Sequence, residues 1–172
     1  MLLYVESQLT PPQVRELLGT LSAEERRDVS HILATSTYPV RLVNRLTIEA
    51  ARLAGRPLPE FARAAGRFSA AEGLKGVYRF FARILTPEAL LAKATAMWSS
   101  MNLAGTMTME QNGSGKAVVF LRDYPGPEEV MCLRVTGWME ELLELAGSKN
   151  PLVTHARCVA RGATACEWHV TW

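Results

Sequence analysis

The chain has 172 residues, of which 48% are hydrophobic and 21% charged, and it carries a net charge of +2. That length supports one substantial core and is short for two comfortable domains, while interspersed acids and bases argue against nucleic acid, which calls for a concentrated basic face. No run reaches the roughly 18 apolar residues that span a bilayer and no early segment has the make-up of a secretory signal, so a cytoplasmic protein is expected; the odd count of three cysteines agrees, since disulfide frameworks favour even numbers.

In chain order, residues 1–9 form a short apolar run, read either as a strand added to a sheet or as the remnant of a longer lead. Thr10-Pro11-Pro12-Gln13 supplies an N-cap, a first-turn proline and a glutamine at the third helical position, which starts a helix ending near Gly19. Ser22-Ala23-Glu24-Glu25 repeats that logic for a helix over 23–34, in which His31 reads as a surface or packed histidine. Residues 1–37 are taken as a helical extension of a single domain covering 1–172. Tyr38 and Pro39 open a helix stopped by Gly55. Leu42, Leu46, Ala50 and Leu53 share one face of it, and the other face is solvated, with an Arg45–Glu49 pair. Leu58-Pro59-Glu60 opens a further helix with Gly66 as its weak point. Residues 69–85 follow, where Gly73 and Gly76 are expected to admit a neighbouring backbone, and then a helix over 87–101 capped by Thr86-Pro87-Glu88.

Beyond residue 102 the periodicity changes. Leu103 to Glu110 alternates loosely, Asn112-Gly113-Ser114-Gly115 signals a turn, and Lys116 to Arg122 is a β-branched run, so a hairpin is expected. The glycines lack the Lys-Ser or Lys-Thr of a phosphate-binding loop. A helix over 128–146 places Cys132, Val135, Met139 and Leu142 on one face and Glu140, Glu141 and Glu144 outward, and strands over 152–159 and 164–171 close the chain. The fold class is α+β: N-terminal helices packed on an antiparallel sheet built from two hairpins, with a long helix between them.

The chemistry gathers in the last quarter. Cys132, His155, Cys158 and Cys166 are the four soft or borderline ligands that Zn²⁺ prefers, and such a closed tetrahedral set leaves no open position for catalysis. The spacing matches no standard finger, and the other reading of the three cysteines is as small buried apolar groups without a metal. No Gly-x-Ser-x-Gly elbow accompanies Ser99 or Ser100, and alternation puts Glu167 and His169 on the strand face opposite Cys166, so no catalytic constellation emerges.

The pattern Cys132…His155-x-x-Cys158-(x)7-Cys166, with Val135-Thr136-Gly137-Trp138 after the first cysteine and Gly162 before the last, resembles the 4-vinyl reductase domain and the aromatic-sensing domains of bacterial transcriptional activators. Those sensors carry a structural zinc and have a glutamate where this chain has His155. Tyr38-Pro39-Val40-Arg41, Glu49-Ala50-Ala51-Arg52-Leu53, Ala64-Ala65-Gly66-Arg67 and Val170-Thr171-Trp172 are also similar to a myxobacterial family of unknown function. That family looks related to the same superfamily, which includes haem nitric-oxide-binding domains and the Bet-type subunits of the TRAPP tethering complex.

The resemblance implies a zinc-stabilised, non-enzymatic sensory module with an apolar pocket between the helices and the sheet. Tyr78, Phe81, Trp98 and Trp138 are candidate lining residues, with plain core as their other reading. The expected ligand is an apolar or aromatic small molecule or a lipid. The module is expected to form a homodimer and to pass its signal to a separate protein, since no DNA-binding helix pair is attached. The rival readings are a TRAPP-like adaptor with a vestigial pocket and a reductase accessory protein. Haem is a minor option, because neither His31 nor His169 has a supporting motif.

Overall fold

The computed structural model describes residues 1–30 and 38–172, with the backbone alone at residues 77–79 and 81. His31 and the expected end of the second helix at residue 34 lie outside the described residues. The first nine residues do not add a strand to the sheet. They make helix α1 (Leu2–Gln8), because Tyr4, Val5 and Leu9 are buried together and the Tyr4 ring meets Phe61 edge-on at 5.1 Å. Helix α2 (Pro11–Gly19) begins with the expected capping box, the Thr10 amide donating to Gln13 Oε1 at 2.9 Å. Helix α3 (Ala23–Ser30) starts with a reciprocal Ser22–Glu25 pair.

Helix α4 (Val40–Leu53) buries Leu42, Leu46 and Ala50 as its periodicity requires. Its Arg45 does not pair with Glu49. The docked N-terminus of α3 presents both Glu25 carboxylate oxygens to Arg45 at 3.1 Å, and Glu49 turns to Arg52 at 2.9 Å.

The expected break at Gly66 is also absent. Helix α5 (Leu58–Gly73) runs through it, and the chain turns only at Gly76, with φ +64°, before α6 (Val77–Ile84). The expected helix over 87–101 divides at Met97 into α7 (Pro87–Ala96) and α8 (Trp98–Met101).

The four strands β1 (Thr106–Gln111), β2 (Lys116–Arg122), β3 (Leu152–Arg157) and β4 (Cys166–Thr171) form one antiparallel sheet in the order β1-β2-β4-β3, with the long helix α9 (Glu129–Leu145) between the two hairpins in sequence. The hairpins join edge to edge through β2 and β4. Here the period-two pattern puts Ala117, Val119 and Leu121 opposite Val170, Trp168 and Cys166, all buried. Helix α9 covers this face with Cys132, Val135, Met139 and Leu143, completing the larger core. A second core joins α1 to α5 through Leu17, Leu46 and Phe61.

Two glycines set how α5 and α9 meet. A Cβ on Gly66 would lie 1.9 Å from the Arg134 carbonyl oxygen, and one on Gly137 would lie 2.0 Å from the Arg63 carbonyl oxygen. The helices therefore touch backbone to backbone at two reciprocal points. Gly73 and Gly76, the positions expected to admit a neighbour, have no atom within 4 Å of a built Cβ. The closeness of the crossing also overturns the outward placement of Glu140. It is 6% exposed and pairs with Arg63 of α5, while Arg67 reaches Glu141 at 3.0 Å and also pairs with Glu144. The α5 arginines draw the acidic row of α9 across the helix pair.

Gly137→Ala should force this crossing apart and lower stability by about 3 kcal/mol, the upper part of the range for overpacking a tight core. Urea unfolding of the two proteins checks this, with the midpoint falling and the slope unchanged.

Candidate functional site

The sheet and α9 bring four side chains to one point. Cys132 lies near the start of α9, His155 on β3, Cys158 one residue past that strand and Cys166 at the first position of β4, and their ligand atoms all lie within 4.8 Å of one another. The Cys132 sulfur is 3.6 Å from that of Cys166 and 3.9 Å from that of Cys158. These separations are far from the ~2.05 Å of a disulfide. They match the edge of a tetrahedron whose metal–sulfur bonds are about 2.3 Å, which is about 3.8 Å.

Strand parity would not by itself bring His155 and Cys158 together, since residues three apart on a regular strand face opposite ways. A bulge resolves this. His155 pairs with Trp168 and Arg157 with Glu167, so Ala156 is the extra residue, and Cys158 returns to the face of His155. A short 3₁₀ turn over Val159–Arg161 follows, ended by Gly162 at φ +88°, and it points the Val159 amide at the Cys166 sulfur at 3.5 Å.

Trp168, fully buried, holds the remaining pieces. Its ring stacks on His155 at 4.8 Å, and its indole N–H donates at 3.0 Å to the hydroxyl of Thr136, which itself donates to the Cys132 carbonyl at 2.9 Å. One side chain on β4 thus orients the imidazole and ties down the turn of α9 that carries the first thiol. In the sequence Thr136 stands out only within the Val135–Trp138 run, and its signal is a buried hydroxyl one helical turn after a cysteine.

The cluster is electrostatically unbalanced as a set of thiols. Cys166 is drawn well below the ordinary thiol range by the hydrogen bond from Cys132, with His155 and the Val159 amide adding to it against burial. Cys132 is pushed far up, by that same bond to Cys166 and then by burial. Donors thus favour one thiolate, and a second so close to it calls for a cation. His155 Nε2 is buried with no hydrogen-bond partner among the described residues, so the imidazole has unused bonding capacity beside three sulfurs. This donor set fits a zinc ion.

Glu167 and His169 lie on the other face of β4, bonded to each other at 2.6 Å, with His169 exposed. This is the arrangement that alternation implied.

Two cavities lie on the far side of α9. The first, about 640 Å³, is bounded by α5, α6, α7, α8 and α9, with Leu74, Leu85, Leu90, Met97 and Leu142 among its walls and Lys93 as the one charged lining residue among those described. The second, about 380 Å³, is lined by Trp98, Tyr124, Met131 and Arg134 among others. Trp138 and Met101 border both. Neither is lined by a strand residue, so the expected position of a pocket between helices and sheet is corrected: α9 packs directly on the sheet, and the space is left among the helices. Of the four aromatic candidates, Trp98 and Trp138 reach a cavity wall, whereas the side chains of Tyr78 and Phe81 lie outside the described residues. Trp98 is also core, 8% exposed, its indole donating to the Ala104 carbonyl at 3.2 Å.

Residues 13–172 match the model of the family described as "Protein of unknown function (DUF2378)", and the chain belongs to that family. No curated protein matches it. Among solved structures it is similar to an H-NOX protein from Shewanella oneidensis in the Fe(II)NO ligation state, at 13% identity over 96% of this chain and 91% of that one, with a TM-score of 0.74. It is also similar to the unliganded Fe(II) H-NOX protein from K. algicida (11% identity, 97% and 89% covered, TM-score 0.70). A third similar structure is the IWP-051-bound H-NOX from Shewanella woodyi (14%, 97% and 87%, TM-score 0.68). The α+β fold is thus shared with these H-NOX proteins.

The residues present do not extend this likeness to haem. Of the described histidines, His155 belongs to the thiol cluster and His169 lies on the outer sheet face. Among the described residues no histidine or cysteine lines either cavity, and the described walls offer no imidazole or thiolate of the kind that commonly holds a haem iron.

Thr136→Val keeps the side-chain shape but strands the buried Trp168 N–H, and should cost about 1–3 kcal/mol. Chemical denaturation of variant and wild type measures the loss.

Proposed function

We propose that this member of the DUF2378 family is a non-catalytic sensory module, whose helical cavity takes an apolar or aromatic small molecule or a lipid and whose long helix is braced by a structural zinc on Cys132, His155, Cys158 and Cys166. The observation that carries the reading is the convergence of those four ligand atoms, from three separate segments, behind the helix that walls the cavity. Zinc would serve here as a clasp, because four protein ligands fill its tetrahedron and leave no site for a reacting water. Trp168 and Thr136 orient the ligands, and the sheet keeps solvent from the sulfurs, all three of which are buried.

A ligand in the first cavity would act on the walls that can respond. Helix α9 is held by α5 on one side and by the sheet on the other, whereas α6 carries Phe80 and Ile84 at 63% and 62% exposure. Differential contact of a ligand with two positions of α6 and α7 would shift their population. A separate signalling protein would read that shift. Among the described residues no helix is long and apolar enough to cross a membrane.

Metal analysis of the purified protein should find one zinc per chain, and Cys158→Ser should lose it together with several kcal/mol of stability, since structural zinc contributes roughly 10 kcal/mol in small domains. The neutral fluorophore N-phenyl-1-naphthylamine should bind the wild type, and Ala94→Phe, which fills the first cavity, should abolish that binding while retaining zinc. Protein without stoichiometric metal removes the clasp, and absence of probe binding removes the apolar site.

One observation favours a protein contact as a second part of this reading. Met97, Met101 and Leu103 are 49%, 52% and 87% exposed, close together in sequence beside the cavities, and a second copy of the chain is the proposed cover. Sedimentation equilibrium should show a dimer for the wild type and a monomer for Leu103→Glu; a wild-type monomer at micromolar concentration rejects it.

A further inference from the structure

The second cavity contains a charge that the clasp and the apolar cavity do not use. Arg134 projects from α9 into the space between α4 and α5, where its guanidinium donates to Asn44 Oδ1 at 2.7 Å and, more weakly, to Thr47 Oγ1 at 3.5 Å. Asn44 and Thr47 are 1% and 0% exposed. Both partners are neutral, and among the described residues no carboxylate forms an ion pair with Arg134. Glu128, the acid nearest in charge effect, acts on it only at longer range. The other arginines near α9, Arg63 and Arg67, each have a carboxylate.

Arg134 is half-buried, and a guanidinium withdrawn from water without a counter-charge is costly, because desolvation is repaid only by an anion or a full set of acceptors. Two of its five N–H groups are bound here. Burial accordingly draws Arg134 below the usual arginine range, to about 10. Next to it, the buried Asn44 Nδ2 has no partner among the described residues, so the polar corner holds a second unused donor. Among the described residues Arg134 is the only basic side chain lining this cavity, and the walls facing it are aromatic: Trp98 and Tyr124, packed edge to face at 6.1 Å, and Trp138.

We propose that Arg134 is the anion-recognising group of the second cavity, which takes a small aromatic carboxylic acid, the carboxylate on the guanidinium and the ring against Trp98, Tyr124 and Trp138. A carboxylate suits the site, since a planar guanidinium donates two parallel hydrogen bonds to it. The volume of about 380 Å³ accommodates one or two fused rings and not a long chain. This inference rests on the reading of the chain as a ligand-binding module and adds to it a second, smaller and anionic ligand.

Calorimetric titration of the full metal-loaded chain with 2-naphthoate and with its neutral methyl ester tests it. The wild type should bind the acid about tenfold or more tightly than the ester, the scale of a charge-assisted hydrogen bond. Arg134→Gln should bind both at the ester's affinity, and Arg134→Lys should keep part of the preference. Ala94→Phe, which fills only the first cavity, should leave acid binding unchanged. Equal affinities for acid and ester in the wild type overturn the inference and leave the ligand-binding reading standing, a result that does not depend on any variant folding. A preference that survives in folded Arg134→Gln, acid binding lost in Ala94→Phe, or failure of both compounds to bind also overturns it, whereas the ligand-binding reading itself stands or falls with the neutral fluorophore.

Discussion

The contact on which the architecture depends is the backbone crossing of α5 and α9. At Gly66 and Gly137 each helix presents a bare Cα to a carbonyl of the other, so the axes approach as closely as helices can. The depth of α9 in the molecule follows from that approach. A helix displaced outward by a methyl group would move its Cys132 sulfur relative to those of Cys158 and Cys166, and separations of 3.6 and 3.9 Å leave little tolerance for such a shift. The ion pairs of Arg63 and Arg67 with the acidic row of α9 lie along the same crossing, and they add orientation to a contact whose closeness comes from the glycines.

With its depth set, α9 divides its circumference between two tasks. Cys132, Thr136, Met139 and Leu143 face the sheet and enclose the thiol cluster with Trp168. Arg134, Trp138 and Leu142, each four residues from the next, border the cavities. The proposed zinc and the proposed ligand thus lie on opposite sides of one rigid element. In such an arrangement the metal need not meet the ligand to matter: it holds one wall still, so that occupancy is expressed in the others. That division accords with a sensor and with the absence of any open coordination position in a four-ligand set.

Much of this was legible in the sequence, for reasons that can be named. The hairpin at Asn112–Gly115, the capping box at Thr10 and the alternation of Cys166, Trp168 and Val170 are local rules that tertiary packing had no cause to override. The four clustered side chains were also identifiable as candidate metal ligands, because few residue types bind soft metals and this chain has only three cysteines. Less legible was the first segment, whose seven residues are too short for periodicity to separate strand from helix and become helical by docking Tyr4 on Phe61. The glycines were misread in the same way: Gly66 looks like a defect in a helix until the partner backbone is in place.

The amino-acid sequence by itself determined the α+β order of elements, the apolar faces and the inventory of metal-binding side chains, because each depends on residue type and on spacing within a few turns. Only the tertiary structure decided that a bulge at Ala156 turns Cys158 to the side of His155, that the cavities open among helices and not against the sheet, and that the half-buried Arg134 meets two neutral partners. These are relations between segments distant in the chain. They are set by how closely α9 seats against its two neighbours, a distance that no local pattern encodes.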